Sequence, residues 1–580
     1  MSVIHPETLP QDVPFTESQR VWLAGYLAGL ALAAEDDNTP TPQMTVQVLY
    51  GSQTGNAETL AEEFASALGE SGVGAQVRSL DQITPDELPG MGHVIVICST
   101  YGEGEMPDNA ELFWDALAAE GVPRLEGLKF GVIALGDSSY DDFCQAGKVL
   151  DTRFEQLGAT RLLPRVDCDV DYEAEAAEFT ARAVELLAAE VPEGASGAPV
   201  PQQTAPKKKR SKWNRKNPYR ATLAHNRVLS GPGSSKEIRH IEIALGDSGI
   251  EYAAGDALAV LPQNDPALVA EFIDAAGLDP EMVVDGEPLP EVLRTSYEIR
   301  TPAKELLARL ADSEPHGELD SLLDSGDRVA LDNWLWGKDT VDLLRAHPRA
   351  ELSPDELLGM LKPLAHRAYS ISSSPLSSPD RIHLTIAAVR HRSESREYGG
   401  VASTMLADRV GESDEVGIFL QPNAAFRVPE DDDLPMIMVG PGTGIAPFRA
   451  FLAEREGRGA KGRNWLFFGD QHRSCDFIYE DELTAWSQAG VLHRLDLAFS
   501  RDQVQKVYVQ DRMRENGRDL YAWLEEGGHF YVCGDATRMA KDVEQALIDV
   551  VQVHGGKTAD QAVEYVNELK RAKRYVRDVY

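Results

Sequence analysis

The sequence predicts a multidomain α/β protein with three folded units: a doubly wound parallel sheet, an antiparallel β-barrel carrying a helical insertion, and a second, Rossmann-like parallel sheet. Three observations predict it. The 580 residues exceed what one core organises, and a prior of roughly 150 residues per domain gives about three or four units. Apolar strand-like runs alternate with amphipathic helical patterns near both ends of the chain, whereas the middle shows short alternating strands. Between them, residues 191–217 are rich in Pro, Gly and Ser and then in Lys and Arg, with no apolar periodicity.

Residues 1–43 hold one apolar run, 21–34, opened by Thr16, Glu17 and Ser18 and closed by an acidic, Pro-containing stretch at 35–42. The run is shorter than the roughly 20 residues of a spanning helix, and no basic stretch precedes it as in a signal peptide. A cytoplasmic protein with no membrane segment is expected. A stripe of Trp22, Leu23, Tyr26, Leu27 and Leu30 would otherwise be an open apolar patch, so the segment is expected to pack or to build a homo-oligomer.

In residues 44–190, strand-like runs at 46–50, 94–98 and 130–135 alternate with helical patterns such as 57–68 and 174–189, which means parallel pairing. Residues 191–217 read as a tether, and the basic run at 207–210 as a solvated charge run. In residues 218–430, alternating strands flank a helical, acidic insertion at about 265–362, the pattern of an interrupted barrel. In residues 431–580 the βαβ alternation returns, with strands near 436–439, 465–468 and 529–533.

Composition narrows the function. Apolar residues at 43% and charged residues at 26% are ordinary for a soluble globular chain. A net charge of −38 opposes nucleic-acid binding, which needs clustered Lys and Arg; it serves solubility and can steer a basic partner protein. The acidic cluster Asp167, Asp169, Asp171, Glu173, Glu175 and Glu178 reads as a solvated face or a docking face. Five cysteines without CxxC spacing give no disulfide framework and no zinc or iron–sulfur site, so any metal belongs to a partner.

The first constellation lies where the strand 46–50 runs into Gly51, Ser52, Gln53, Thr54, Gly55 and Asn56 and then a helix opening at Ala57. Free backbone N–H groups and a helix dipole there suit a phosphate. With no Lys present it is not a Walker P-loop. Two later strands end in Ser99, Thr100, Tyr101, Gly102 and in Leu135, Gly136, Asp137, Ser138, Ser139, Tyr140. Ligands bind at the carboxyl ends of doubly wound strands, so Tyr101 and Tyr140 could sandwich an isoalloxazine ring. Three such loops in order resemble a flavodoxin-type FMN domain, and that resemblance adds Cys144 as a further contact.

The second constellation begins with Arg367, Ala368, Tyr369 and Ser370, which resemble the RxYS motif of the ferredoxin-NADP reductase family. There the Arg meets the FAD pyrophosphate, as its planar fork suits, and the Tyr and Ser touch the flavin. The segment Gly400, Val401, Ala402, Ser403 resembles the family's second pyrophosphate motif, and Thr385 is implied as another FAD contact. Gly440, Pro441, Gly442, Thr443 and Gly444 follow a buried strand and open a helix, letting backbone approach a dinucleotide. Ser500, Arg501, Lys506, Tyr508 and Gln510 resemble the adenosine 2′-phosphate pocket, favouring NADPH, and Asp542 aligns with another NADP contact. By the same resemblance Ser370, Cys533 and Asp578 surround the hydride-transfer site, and Tyr580 is an aromatic shield that stacks on FAD and swings aside to admit the nicotinamide.

The resemblance covers nearly the whole chain. It extends to diflavin reductases and, through the strings at 463–472, 506–517 and 531–547, to flavoprotein subunits of assimilatory NADPH-sulfite reductases. It implies FMN, FAD and NADPH as cofactors and electron transfer from NADPH through FAD and FMN to a sirohaem, iron–sulfur hemoprotein that reduces sulfite to sulfide for cysteine biosynthesis. Two positions depart from enteric members: Tyr101 stands where they have Gln, and His391 where they have Tyr beside FAD. Two other readings are a diflavin reductase for another haem or nitrate-reducing acceptor, and a flavin-binding scaffold without turnover.

Overall fold

A computed structural model describes residues 44–190 and 211–580, apart from Thr54, Glu103, Ser139, Asp141, Glu394 and Ser395. The apolar run at 21–34 and most of the tether expected at 191–217 lie outside the described residues. Among the described residues, no helix is long and apolar enough to cross a membrane.

The first sheet contains β1 (Thr45–Gly51), β2 (Gly74–Ser79), β3 (His93–Ser99), β4 (Lys129–Leu135) and β5 (Thr160–Arg161) in the parallel order β2-β1-β3-β4-β5, with β6 (Val166–Cys168) also on β4. Both faces are covered, which is why β3 and β4 are nearly unbroken apolar runs. Helices Asn56–Glu70 and Glu173–Ala189 bring Leu60, Phe64, Phe179 and Leu187 to one face. Helices Asp108–Ala118 and Gln145–Gln156 bring Phe113, Leu117, Leu150 and Phe154 to the other. The order reverses between β1 and β3, and the crevice at such a switch point opens at the carboxyl ends of the strands.

The second sheet is antiparallel throughout: β7 (Tyr219–Val228), β8 (Ile238–Ala244), β9 (Ala257–Val260), β10 (Arg367–Ser370), β11 (Arg381–Ala387) and β12 (Glu415–Gln421), in the order β10-β9-β12-β7-β8-β11. Its two edges meet at a bridge between Ile371 and Leu384, and Ser372 N donates to His383 O at 2.8 Å. The sheet therefore bends back on itself around Leu223, Ile241, Leu258 and Ile382, and one bridge is what joins the edges of the expected barrel. Seven helices, from Pro266–Ala276 to Pro354–Met360, lie between β9 and β10 and build a core of their own around Phe272, Leu293, Leu306 and Leu343.

The third sheet is parallel, β13 (Met436–Val439), β14 (Asn464–Asp470), β15 (Arg494–Phe499), β16 (His529–Gly534) and β17 (Tyr575–Val579), in the order β15-β14-β13-β16-β17. Every residue of β14 is buried, as a strand covered on both faces requires. The edge strand β17 reaches the other two units, since successive side chains of a strand point to opposite sides. Arg577 meets the first unit through Asp108 and Glu111, and Asp578 meets the second through Ser370.

Candidate active site

The phosphate-type loop is held by its own hydrogen bonds and by close packing. Glycine is needed at 51, where a Cβ would stand 2.8 Å from Cys98 Sγ and 2.9 Å from the Ala110 methyl. Gly55 takes φ 90° and hands the chain to helix Asn56–Glu70. Ser52 Oγ accepts hydrogen bonds from Gly55 N at 2.9 Å and Ala57 N at 3.2 Å, so these backbone donors already converge on one oxygen as they would on an anion. Gln53 turns away: its Oε1 accepts from Asp108 N and its Nε2 donates to the Arg577 carbonyl. Asn56 is exposed at the helix start, and Thr54 lies outside the described residues.

The next two loops flank this one. Ser99 Oγ donates to Gly51 O at 3.4 Å, and Thr100 Oγ1 accepts from Ala146 N at 3.2 Å. Tyr101 packs against the core of the third unit, where burial and the neighbouring Asp578 push its phenol pKa up; Gly102 follows with φ 55°. Leu135 is buried, and a Cβ on Gly136 would meet Cys144 N at 2.7 Å. Ser138 is committed elsewhere, its N and Oγ both donating to the Asp169 carboxylate. Burial raises that carboxyl's pKa, but the three hydrogen bonds it accepts win and hold it below the usual range. Tyr140 is exposed, beside Asp137, and Ser139 lies outside the described residues. The Cys144 thiol points into the core, donating to Ala134 O and Cys168 O, and burial pushes it up to about 12; only its main chain can face a ligand. In the acidic cluster, Asp167 pairs with Arg165, Asp169 takes Ser138, and Asp171 pairs with Lys216.

On β10 the Arg367 guanidinium donates only to the adjacent His366 carbonyl and has no carboxylate partner among the described residues. That leaves an exposed cation for a diphosphate. Ala368 lies beside it, and burial pushes the Tyr369 phenol up to about 12. Gly400 leads into helix Val401–Thr404, with Ala402 buried and Ser403 Oγ accepting from Val389 N at 3.1 Å. The Thr385 hydroxyl is buried against Tyr479 Oη at 2.8 Å, on the side facing the third unit. The departure at His391 keeps a ring stack, lying parallel to Tyr398 with centroids 4.7 Å apart and with Trp336 at 6.3 Å.

The glycines at 440–444 are required by close packing. A Cβ on Gly440 would stand 2.5 Å from Gly444 O, and one on Gly444 would stand 2.2 Å from Cys533 O. Gly442 adopts φ 59°. At the end of β15, Ser500 Oγ donates to Asp470 O, while Arg501 and Lys506 are exposed without a carboxylate partner among the described residues. Tyr508 is exposed beside them, and Gln510 Nε2 donates to Asp542 Oδ2 at 3.2 Å, so both predicted contacts of the later helices come together.

Ser370, Cys533 and Asp578 converge from β10, β16 and β17. Ser370 Oγ donates to Asp578 Oδ2 at 2.6 Å, and Cys533 Sγ, fully buried, stands 3.8 Å from the same oxygen. Burial raises the Asp578 pKa against the lowering effect of its two donors, and burial followed by Asp578 itself raises the Cys533 thiol well above its ordinary value. The chain end is pinned beside them: Tyr580 N donates to Gly534 O, Ala536 N donates to Tyr580 O, and the Tyr580 hydroxyl lies 3.0 Å from Thr443 Oγ1.

Sequence reasoning missed Arg577 and Arg449. Arg577 lies 2.6 Å from Asp108 and 2.7 Å from Glu111. Its signal was its place next to Asp578 on an alternating strand.

Residues 48–182 match the flavodoxin family, residues 211–405 the FAD binding domain family, and residues 438–545 the oxidoreductase NAD-binding domain family. The glycine loops with no room for a Cβ, and Arg367, Arg501 and Lys506, which have no carboxylate partner among the described residues, fit the phosphate-bearing cofactors those families hold. Fold and site together define an NADPH-dependent diflavin oxidoreductase that uses FMN and FAD. The chain is 43% identical to the sulfite reductase NADPH flavoprotein alpha-component of Bacillus subtilis (strain 168), over 97% of this chain and 96% of the relative. It is 44% identical to that of Cronobacter sakazakii (98% and 96%) and 41% identical to that of Escherichia coli O1:K1 / APEC (100% and 98%). The chain belongs to the family of sulfite reductase NADPH flavoprotein alpha-components.

Proposed function

We propose that this chain is the electron-input component of a sulfite-reducing assembly, taking hydride from NADPH and delivering single electrons through FAD and FMN to a sirohaem, iron–sulfur hemoprotein. The observation that carries the hydride step is the meeting of Ser370, Cys533 and Asp578 from two units beside the glycine loop at 440–444. The alpha-component names of relatives matched end to end support the acceptor. A cytoplasmic location, and a homo-oligomer built through residues 1–43, belong to the same reading. So does the division into an FMN unit at 44–190, a FAD unit with insertion at 218–430 and an NADP unit at 431–580.

Bound flavin supplies what no side chain can, uptake of two electrons together and their release one at a time. The chain's own residues bind and orient. Arg501 and Lys506, with Ser500, Tyr508 and Gln510, take the 2′-phosphate of NADPH, and Arg367 takes the FAD diphosphate by charge-assisted bonds. The loop at 440–444 brings backbone to the dinucleotide and abuts Cys533, setting the nicotinamide against β16. Asp578 holds the Ser370 hydroxyl and the Cys533 thiol in place, and its carboxyl is positioned to offset the positive charge that grows on the nicotinamide ring as hydride leaves. Tyr580 covers the site and moves aside for the nicotinamide. Ser52 Oγ gathers backbone donors of the FMN phosphate loop.

The test is flavin bleaching by NADPH in the full chain loaded with FMN and FAD, for the parent and for S370A. Bleaching that slows strongly in S370A supports the hydride site, and equal rates count against it.

A further inference from the structure

We propose that Arg449 is a positioning residue for hydride transfer, fixing the strand that carries Ser370 against the helix that opens the dinucleotide loop. The proposal rests on the reading of Ser370, Cys533 and Asp578 as the hydride site.

Four backbone segments meet at that site: β10, the loop at 440–444, the end of β16, and β17. The loop and β16 are locked by direct packing, because Gly444 leaves no space for a Cβ against the Cys533 carbonyl. Strand β10 is tied to β17 by the Ser370–Asp578 hydrogen bond. Its link to the loop comes from helix Ala446–Arg458, which continues the loop without a break. From that helix Arg449 Nη1 donates to Ser372 O at 2.7 Å, two residues beyond Ser370. One turn further on, Glu454 accepts from Ser374 Oγ at 2.5 Å. The helix thus grips the segment leaving β10 at alternate residues.

Arg449 is itself held on every side. Its Nε donates to Glu482 Oε2 at 2.7 Å, its guanidinium lies 5.0 Å from the Tyr479 ring centroid, and Nη1 faces His383 Nδ1 at 3.3 Å. The Tyr479 hydroxyl is fixed in turn by Thr385 Oγ1 at 2.8 Å and His240 Nδ1 at 2.9 Å. Only a planar guanidinium can serve a carbonyl, a carboxylate and a ring nitrogen at once while stacking on an aromatic face.

This seam also explains a cluster that resembles a metal site. His240, Glu242 and His383 bring three ligand-type atoms within 4.8 Å of one another. A metal-bound imidazole donates a hydrogen bond from its second nitrogen, whereas the second nitrogen of His383 faces the Arg449 donor. Arg381 also occupies Glu242, at 2.7 Å. The cluster serves as the wall against which Arg449 is set.

Displacement of reacting groups by an ångström costs on the order of 100-fold in rate, so loosening this grip should slow the chemical step and leave nucleotide affinity in place. The experiment is stopped-flow reduction of the full chain, loaded with FMN and FAD, by NADPH and by NADPH deuterated at the transferred position. It compares the parent, R449K, R449Q, E482Q and S370A. The expected result is a limiting rate about tenfold or more below the parent in R449K and R449Q. The isotope effect should rise toward its full value, apparent NADPH affinity should stay within about threefold, and flavin content should be parental. E482Q, which loosens Arg449 without removing it, should fall between. Slow reduction in S370A with parental rate and isotope effect in R449K and R449Q would overturn the role of Arg449 alone. Parental rates in S370A and both Arg449 variants would overturn the hydride site and the proposal together. Were both Arg449 variants to lose FAD, a parental limiting rate in E482Q would overturn the role, and a slowed one with a raised isotope effect would support it.

Discussion

Ser370 and Asp578 lie 208 positions apart and in different folded units, yet Ser370 Oγ donates to Asp578 Oδ2 at 2.6 Å. A short, charge-assisted contact of this kind joins the strand expected to touch flavin to the strand that ends the chain.

Asp578→Asn should separate activity from stability. Losing one preorganised charged partner at a reacting centre costs on the order of 100-fold in rate, so flavin reduction by NADPH should slow by about that much. Stability should move the other way. The Asp578 pKa is raised in the folded protein, so its ionised form opposes folding above that raised value. Thermal unfolding at pH 7 should therefore give a higher Tm for D578N than for the parent. The gap should close as pH falls through the folded-state pKa toward the ordinary aspartate value. A D578N Tm below the parent at pH 7 would count against the burial argument.

Arg577 should govern how firmly the first unit sits on the third. Its guanidinium is 17% exposed between Asp108 and Glu111, with Glu544 at 3.6 Å and Lys570 pairing to Glu111 and Glu544 nearby. Glu111 is itself 37% exposed, so removing the cation should cost this contact about 2 kcal/mol, the low end for desolvated charge pairs. Small-angle scattering of Arg577→Gln should show a larger radius of gyration than the parent at low salt, and added salt should expand the parent toward it. Equal radii at every ionic strength would show that the contact does not hold the units together.

Much of this was legible in the sequence because it rests on local rules. Apolar runs such as 94–98 and 130–135, alternating with helical patterns, marked a parallel sheet, and the glycine loops at 51–56 and 440–444 marked backbone that approaches a phosphate or a dinucleotide; the structure adds that a Cβ has no room at 51 and 444. Chain-distant contacts were less legible. Thr385 carried no local sign that its hydroxyl would turn to Tyr479, 94 positions away, and Ser138 none that Asp169 would claim it. Arg449 carried no local sign of its role, because its partners Ser372, His383 and Glu482 come together only when two sheets pack.

Arg501 and Lys506 should set the preference for NADPH over NADH. Both are exposed cations without a carboxylate partner among the described residues, so truncating either leaves no buried charge behind. Arg501→Ala and Lys506→Ala should each raise the NADPH KM by about tenfold, near 1.4 kcal/mol for one lost charged contact, with kcat nearly unchanged and the NADH KM unmoved. A parallel rise in the NADH KM would place these side chains on a part of the dinucleotide that both share.

The central claim is that electrons from NADPH leave this chain for a hemoprotein that reduces sulfite. The most direct measurement is NADPH oxidation and sulfide formation by the flavin-loaded chain with sulfite, with and without the sirohaem hemoprotein of the same organism. The account predicts sulfide only when both proteins are present, with three NADPH consumed per sulfide as a six-electron reduction requires. Brisk reduction of an artificial one-electron acceptor, with no sulfide formed in the presence of the hemoprotein, would contradict it.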